Sequence, residues 1–322
     1  MKLWHVPALV ALLALAAGVV VAYPPPSRGS VSIPSIPHSR PTLLFVGDIM
    51  LSRSVGERMA ALNDWQWPFG GIASVTQSAN VAFANLETTI SERGVKGGCG
   101  YCFRADPRAL EGLSAAGFDV LSVANNHMWD YGPDAFADTL QYLAVNNISS
   151  VGGGRTLAEA QGPVMRTAGD VRVAYLAYTD LLPASACATV ERAGVNCFDD
   201  ARMRADIARA RGMADVVVVS FHTGTEYKPE HNMVQERIYH AAVDAGADLV
   251  IGHHPHVVQD MEQYRTGWIV YSLGNFVFDQ TFSVATMQGA MLEVVLQDKA
   301  VASVQLIPVT LSRDYRVSPV VR

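Results

Sequence analysis

Charge is scarce in this 322-residue chain: 17% of residues are Asp, Glu, Lys or Arg, and the net charge is −6. A basic surface is missing, which leaves nothing to attract nucleic acid. Cysteine is sparse, with four in all, Cys99 and Cys102 in one local group and Cys187 and Cys197 in another. The wide spacing of the second group argues against a four-Cys zinc site. A phosphate-cradling P-loop is missing too. Gly152-Gly153-Gly154 is followed by no Lys-Ser/Thr and reads as a turn. No internal repeat breaks the chain. What is abundant is apolar surface, 50% of residues, enough for one large core.

Met1 and Lys2 lead into an apolar run from Val6 to Ala22. Residues 1–23 are expected to be a signal peptide or an uncleaved N-terminal membrane anchor. Residues 24–41 are Pro/Ser-rich and read as a tether. His38 belongs to it and is not counted among the ligands. The remaining domain, 42–322, is then extracytoplasmic, either anchored to the cell membrane or secreted. Disulfides form in such a compartment, and pairing within each local group is the simplest of three connectivities. Cys99-Gly-Tyr-Cys102 reads as a loop staple, with a redox-active pair as the competing reading.

One event recurs along the domain: an apolar strand ends, and an acid, amide or imidazole follows at once. Thr42 to Val46 ends at Asp48, Val81 to Ala84 at Asn85 and Glu87, and Phe118 to Ala124 at Asn126 and His127. Four consecutive valines after Asp215 mark a strand buried on both faces, and it ends at His222. Leu249 to Ile251 ends at Gly252 and then presents His253, His254 and His256. Helices are expected around 54–62, 107–116, 134–145, 199–211 and 233–245, with His240 an ordinary helix residue. Hairpins are expected at 164–178 and 289–309. Strands separated by helices early, with hairpins later, predict two packed mixed sheets covered by outer helices. Ligand sites in α/β folds form where strands end. The strand-end residues collected in this way are Asp48, Asn85, Glu87, Asn126, His127, His222, His254 and His256. A mixed carboxylate, amide and imidazole set suits one or two divalent ions such as Mn, Zn or Fe.

The order of these segments, from Val46-Gly47-Asp48 through Asn85-Leu86-Glu87, Asn125-Asn126-His127, Asp130-Tyr131-Gly132, His222 to Tyr227, Gly252 to His256 and Tyr271 to Phe276, resembles the CapA family of poly-γ-glutamate capsule synthesis proteins. The resemblance runs from Thr42 to about Thr310. That family is similar in turn to calcineurin-like metallophosphoesterases, so the resemblance implies a four-layer α/β/β/α sandwich of two mixed sheets. It implies Asp48 and His256 on one metal, Asn126, His222 and His254 on the other, and Glu87 as the bridging acid, helped by Asn85. His127 would act as proton donor, with Asp130 orienting it. Met50 stands where phosphoesterases carry a His, and Glu87 is longer than their Asp. His253, Glu226, His231 and Asn275 are further candidates for the substrate or the surrounding shell.

Three functions are compatible with this reading. The first is an exported, membrane-tethered metal-binding protein acting in synthesis or export of poly-γ-glutamate, alongside membrane synthetase subunits. The second is an independent exported phosphoesterase or amidohydrolase. The third is a non-catalytic scaffold of an envelope polymer complex. The ligand is an anionic polymer or a phosphoester in the first two.

Overall fold

A computed structural model describes residues 40–320. The expected leader or anchor and nearly all of the tether, His38 included, lie outside the described residues.

Two sheets carry the chain. The first, of eight strands, runs in the order Val317–Pro319, Ala300–Leu311, Gln288–Gln297, Thr42–Ile49, Val81–Leu86, Val120–Ser122, Ser149–Val151, with Asn275–Val277 also paired to Thr42–Ile49. The second, of six strands, is ordered Met261–Tyr264, Gly267–Val270, Leu249–His253, Val216–His222, Val171–Thr179, Val164–Ala168. Both have parallel centres; the first is antiparallel on its Val317–Pro319 side only, and the second at both edges.

Strand periodicity explains the layering. In the valine run, Val216 and Val218 join the cluster between the sheets, while Val217 and Val219 join the cluster beneath the helices Asp200–Arg211 and Met233–Asp244. Successive side chains point to opposite faces, so a strand covered on both sides must be apolar throughout. Between the sheets, Tyr175 meets Phe83 and Phe45 at ring-centroid distances of 5.8 and 6.4 Å. On the first sheet, Val55 and Met59 of the helix Arg53–Leu62 and Phe136 and Leu143 of Gly132–Val145 enter the same core. The order of layers is helices, sheet, sheet, helices.

The helix ends follow their sequence. Asn232 forms a capping box with Gln235, and the Asp199 side chain accepts from the Arg202 N–H, so two helices begin where a side-chain oxygen replaces a missing intrahelical partner. Short strands escape the sequence pattern, among them Met261–Tyr264, Asn275–Val277 and Val317–Pro319. Each has only three or four residues, too few to show a period. The first strand also runs past Val46 to Ile49, because Asp48 pairs in register with both Asn85 and Asn275. The Gly153–Gly154 segment is a short strand paired with Gly194–Val195 rather than a free turn.

Parallel pairing positions the site. Asp48 lies beside Asn85 in one sheet, and His222 lies between Thr179 and His253 in the other. The carboxyl ends of the central strands therefore deliver their polar residues to one edge. Close backbone approach is needed there: a Cβ on Gly47 would stand 1.9 Å from the Gly274 carbonyl oxygen.

Candidate metal centre

Glu87 follows directly on its strand and is fully buried, yet neither carboxylate oxygen has a hydrogen-bond partner among the described residues. Instead, imidazole nitrogens surround Oε1: His222 Nε2 at 3.7 Å and His256 Nε2 and His127 Nε2 each at 3.8 Å. Asp48, also fully buried, is better satisfied. Its Oδ1 accepts from Asn85 Nδ2 at 2.8 Å, and its Oδ2 accepts from the His254 backbone N–H at 3.2 Å. His253 Nδ1 lies 3.3 Å from Oδ1 and His256 Nδ1 3.4 Å from Oδ2.

Amides flank the rings of His222 and His256. Asn85 Nδ2 lies 3.1 Å from His222 Nδ1, and Asn126 Oδ1 lies 2.7 Å from His222 Nε2, the nitrogen that also faces Glu87. His256 Nδ1 faces Asn275 Oδ1 at 3.0 Å, which leaves Nε2 turned toward Glu87. Partners of this kind orient the ligating nitrogen in metal sites. The two His residues flanking Pro255 pay for their placement in backbone strain, with φ of 97° at His254 and 58° at His256.

Electrostatics separates the two acids. Burial pushes the Glu87 carboxyl well above its ordinary range, and the negative charges of Asp48, Glu226 and Asp130 add to this. Burial raises Asp48 too, but the adjoining imidazoles of His253, His256 and His222 outweigh it and hold Asp48 well below. Burial lowers His222 far below its usual value, and His254 falls to about 3 for the same reason, helped by His256. Neutral imidazoles are the form that binds a metal. Besides both oxygens of Glu87, His253 Nδ1 and Nε2 and His254 Nδ1 are buried without a partner. A buried carboxylate lacking donors costs several kcal/mol, and a shared cation removes that cost. The donor set therefore fits a divalent ion.

Two groups of donors within this cage converge within 4.8 Å: Asp48, Glu87 and His222, and Glu87, His254 and His256. Glu87 is common to both groups, while His222 groups with Asp48 and His256 with His254, a division other than the one the resemblance implied. The cage is compact enough that His256 lies within reach of both acids.

His127 stands at the rim, its side chain 13% exposed, with Nδ1 2.7 Å from Asp130 Oδ2. The same Asp130 oxygen accepts the Phe103 backbone N–H at 2.7 Å, and the Phe103 ring stacks on His127 with centroids 3.8 Å apart. Beyond the rim lies a cleft of about 420 Å³ lined by Asn126, His127, His256, Glu226, Tyr227 and Arg53, among others. Glu226 is on its exposed lip. His231 is not part of the cage: it pairs with Asp260 at 2.8 Å and stacks on Tyr271. His240 pairs with Glu262. The sulfurs of Cys99 and Cys102 are bonded to each other, as are those of Cys187 and Cys197.

Sequence reasoning passed over Asn125, Phe103 and Arg53. The Asn125 amide donates to Asn85 Oδ1 at 3.0 Å and to the Leu86 carbonyl at 2.8 Å, and its own oxygen accepts the His127 N–H at 3.1 Å. It ties the Glu87 strand to the His127 turn. Its place between a strand and Asn126 was the available signal; Phe103 and Arg53 gave none.

Solved structures share this fold at low identity. An NAD nucleotidase from Haemophilus influenzae aligns with a TM-score of 0.53 at 9% identity, over 88% of this chain and 60% of that one. The sulfate thiohydrolase SoxB of Thermus thermophilus aligns with a TM-score of 0.50 at 14% identity, over 88% and 57%. The fold is that of the calcineurin-like metallophosphoesterases. Residues 42–280 match the family described as Bacterial capsule synthesis protein PGA_cap, and the chain belongs to that family. Its relatives include the capsule biosynthesis protein CapA of Bacillus anthracis, 34% identical over 84% of this chain and 67% of that one. The PGA biosynthesis protein CapA of Bacillus subtilis is 32% identical over 83% and 70%. A probable polyglutamine synthesis accessory protein of Mycobacterium tuberculosis is 32% identical over 72% and 65%.

Proposed function

We propose that this CapA-type protein is exported, is held at the membrane by its N-terminal segment, and uses a divalent-metal site to handle poly-γ-glutamate during its synthesis or export. The observation that carries the proposal is the buried Glu87 carboxylate, without a hydrogen-bond partner among the described residues and ringed by imidazoles, two of which, His127 and His256, line an open cleft. Asp48, Glu87, Asn126, His222, His254 and His256 would hold one or two ions of the Mn, Zn or Fe type. Such an ion supplies Lewis acidity toward an amide or phosphoester oxygen. The polymer is polyanionic, and the cleft carries Glu226 and Asp279 against the single cation Arg53 among its lining residues. Positive charge in the cage offsets that repulsion, so polymer binding should require the metal.

The protein's own groups supply the proton chemistry. Asp130 accepts the Nδ1–H of His127, which leaves Nε2 to carry a proton to a departing amine or alkoxide. Phe103 covers one face of the imidazole and limits water there. The membrane synthetase subunits remain the proposed partners.

A second reading, an exported phosphoesterase independent of the capsule, is favoured by the His127–Asp130 pair standing at the rim of a phosphoesterase-type fold. Elemental analysis of the full chain tests the metal site, with bound Mn, Zn or Fe expected in the wild type and lost in His254→Ala. Metal-dependent release of nitrophenol from a phosphodiester, abolished by His127→Ala, would favour the second reading. Metal-dependent binding of γ-glutamate oligomers without nitrophenol release supports the first.

A further inference from the structure

The lip of the cleft holds a cation to which the metal reading gives no task. Arg53 opens the helix that follows Asp48, yet its backbone is left-handed, with φ 49°. Of the residues around this cleft, Tyr227 (62°), His254 (97°) and His256 (58°) share that region. Such strain gathers at active sites and ligand clamps. His254 and His256 belong to the cage; Arg53 and Tyr227 line the opening.

The Arg53 guanidinium is held in a fixed plane. Asp279 accepts from Nε at 3.0 Å and also from Nη2, while the guanidinium carbon sits 4.6 Å from the Phe103 ring centroid and 5.6 Å from that of Tyr101. Asp279 is nearly buried, its side chain 7% exposed, whereas Arg53 keeps 31% exposure. Among the described residues no acceptor engages Nη1. A planar fork with donors to spare, on an aromatic base, is the usual recognition element for a carboxylate. Exposed aromatic rings surround it: Tyr101, Tyr227 and Phe282, 74, 42 and 67% exposed. A γ-linked glutamate chain presents a carboxylate on every unit, separated by methylenes that suit such rings.

We propose that Arg53 binds an α-carboxylate of a γ-glutamate chain lying in the metal cleft and so sets which polymer the site accepts. This rests on the reading of the cleft as the polymer-handling site. Because the same Phe103 ring supports both Arg53 and His127, a carboxylate held by the guanidinium lies beside the proton-donating imidazole.

The test is calorimetric binding of a short γ-glutamate oligomer and of its neutral γ-glutamine counterpart to the Mn-loaded full chain. Arg53→Gln is expected to weaken the γ-glutamate oligomer by about 10- to 100-fold, as loss of a charge-assisted hydrogen bond does. Metal content and γ-glutamine affinity should not change. Arg53→Lys keeps the charge and loses the fork, and should fall between. Unchanged γ-glutamate affinity in either variant overturns the proposal, and Arg53→Lys alone decides if Arg53→Gln does not fold. Parallel loss of both oligomers also overturns it, since that marks a merely structural residue. A wild-type protein that loads Mn but binds no γ-glutamate oligomer instead defeats the polymer reading, and the carboxylate assignment with it.

Discussion

His254 and His222 are buried imidazoles whose burial holds them neutral, His254 with its pKa at about 3. In the unfolded chain each would titrate near its ordinary value of about 6.5. A depressed folded pKa means stability that is present above about pH 6.5 and is lost as pH falls toward the folded value. Glu87, raised by burial, acts in the opposite sense, so the His contribution is best read as a difference. Metal-free wild type should therefore lose stability below pH 6.5 more steeply than His254→Asn, by about 1.4 kcal/mol per pH unit. Urea unfolding from pH 7 to 4 in chelator measures both slopes, and equal slopes would contradict the burial argument. Residues were the most legible level of this molecule. Asp48, Glu87, His222, His254 and His256 could be marked because each stops an apolar run, and a polar group there requires a partner. Arg53 and Phe103 could not, because neither the first residue of a helix nor a loop residue ends an apolar run.

Strand ends and loops are where the site's precision is set. The strands Thr42–Ile49 and Asn275–Val277 meet at Gly47, and Asp48 N donates to the Gly274 carbonyl at 3.0 Å. A methyl group at Gly47 would collide with that carbonyl, and backbone cannot yield as a flexible side chain can. Gly47→Ala should cost about 3 kcal/mol or more, with metal binding weakened as Asp48 and Asn275 move apart. Thermal unfolding measures the first effect and metal titration the second. The disulfides should separate in the same way. Closing 3- and 10-residue separations, they are worth about 2 and 3 kcal/mol by loop entropy. Replacing Cys187 and Cys197 by Ala should therefore lower stability more. Replacing Cys99 and Cys102 should instead release Phe103, the next residue, from His127 and Asp130, which the His127 ring signals in an NMR titration would report. Elements of eight or more residues were legible from periodicity. Asn275–Val277 and Met261–Tyr264 were not, since tertiary pairing alone makes such short segments strands.

Across the whole molecule, the two sheets bring residues more than 200 positions apart into contact: the Asp48 carboxylate and the His254 N–H are 206 positions apart in the chain. The sandwich was legible in outline, because alternating apolar runs, valine-rich strands and interposed helices permit few other arrangements. The convergence of both sets of strand ends on Glu87 was not, since it depends on how the sheets pack. The central claim is that Glu87 is kept buried and unpaired for a cation. Removing its charge should thus stabilise the metal-free protein while abolishing its response to metal. The deciding measurement is thermal unfolding of wild type and Glu87→Gln, each with chelator and with Mn²⁺ at about 100 times the wild-type dissociation constant. Wild type should gain about 5–10 °C on metal addition. Glu87→Gln should unfold at or above the metal-free wild-type temperature and gain nothing. An equal gain in both proteins, or a Glu87→Gln protein less stable than wild type in chelator, would contradict the account.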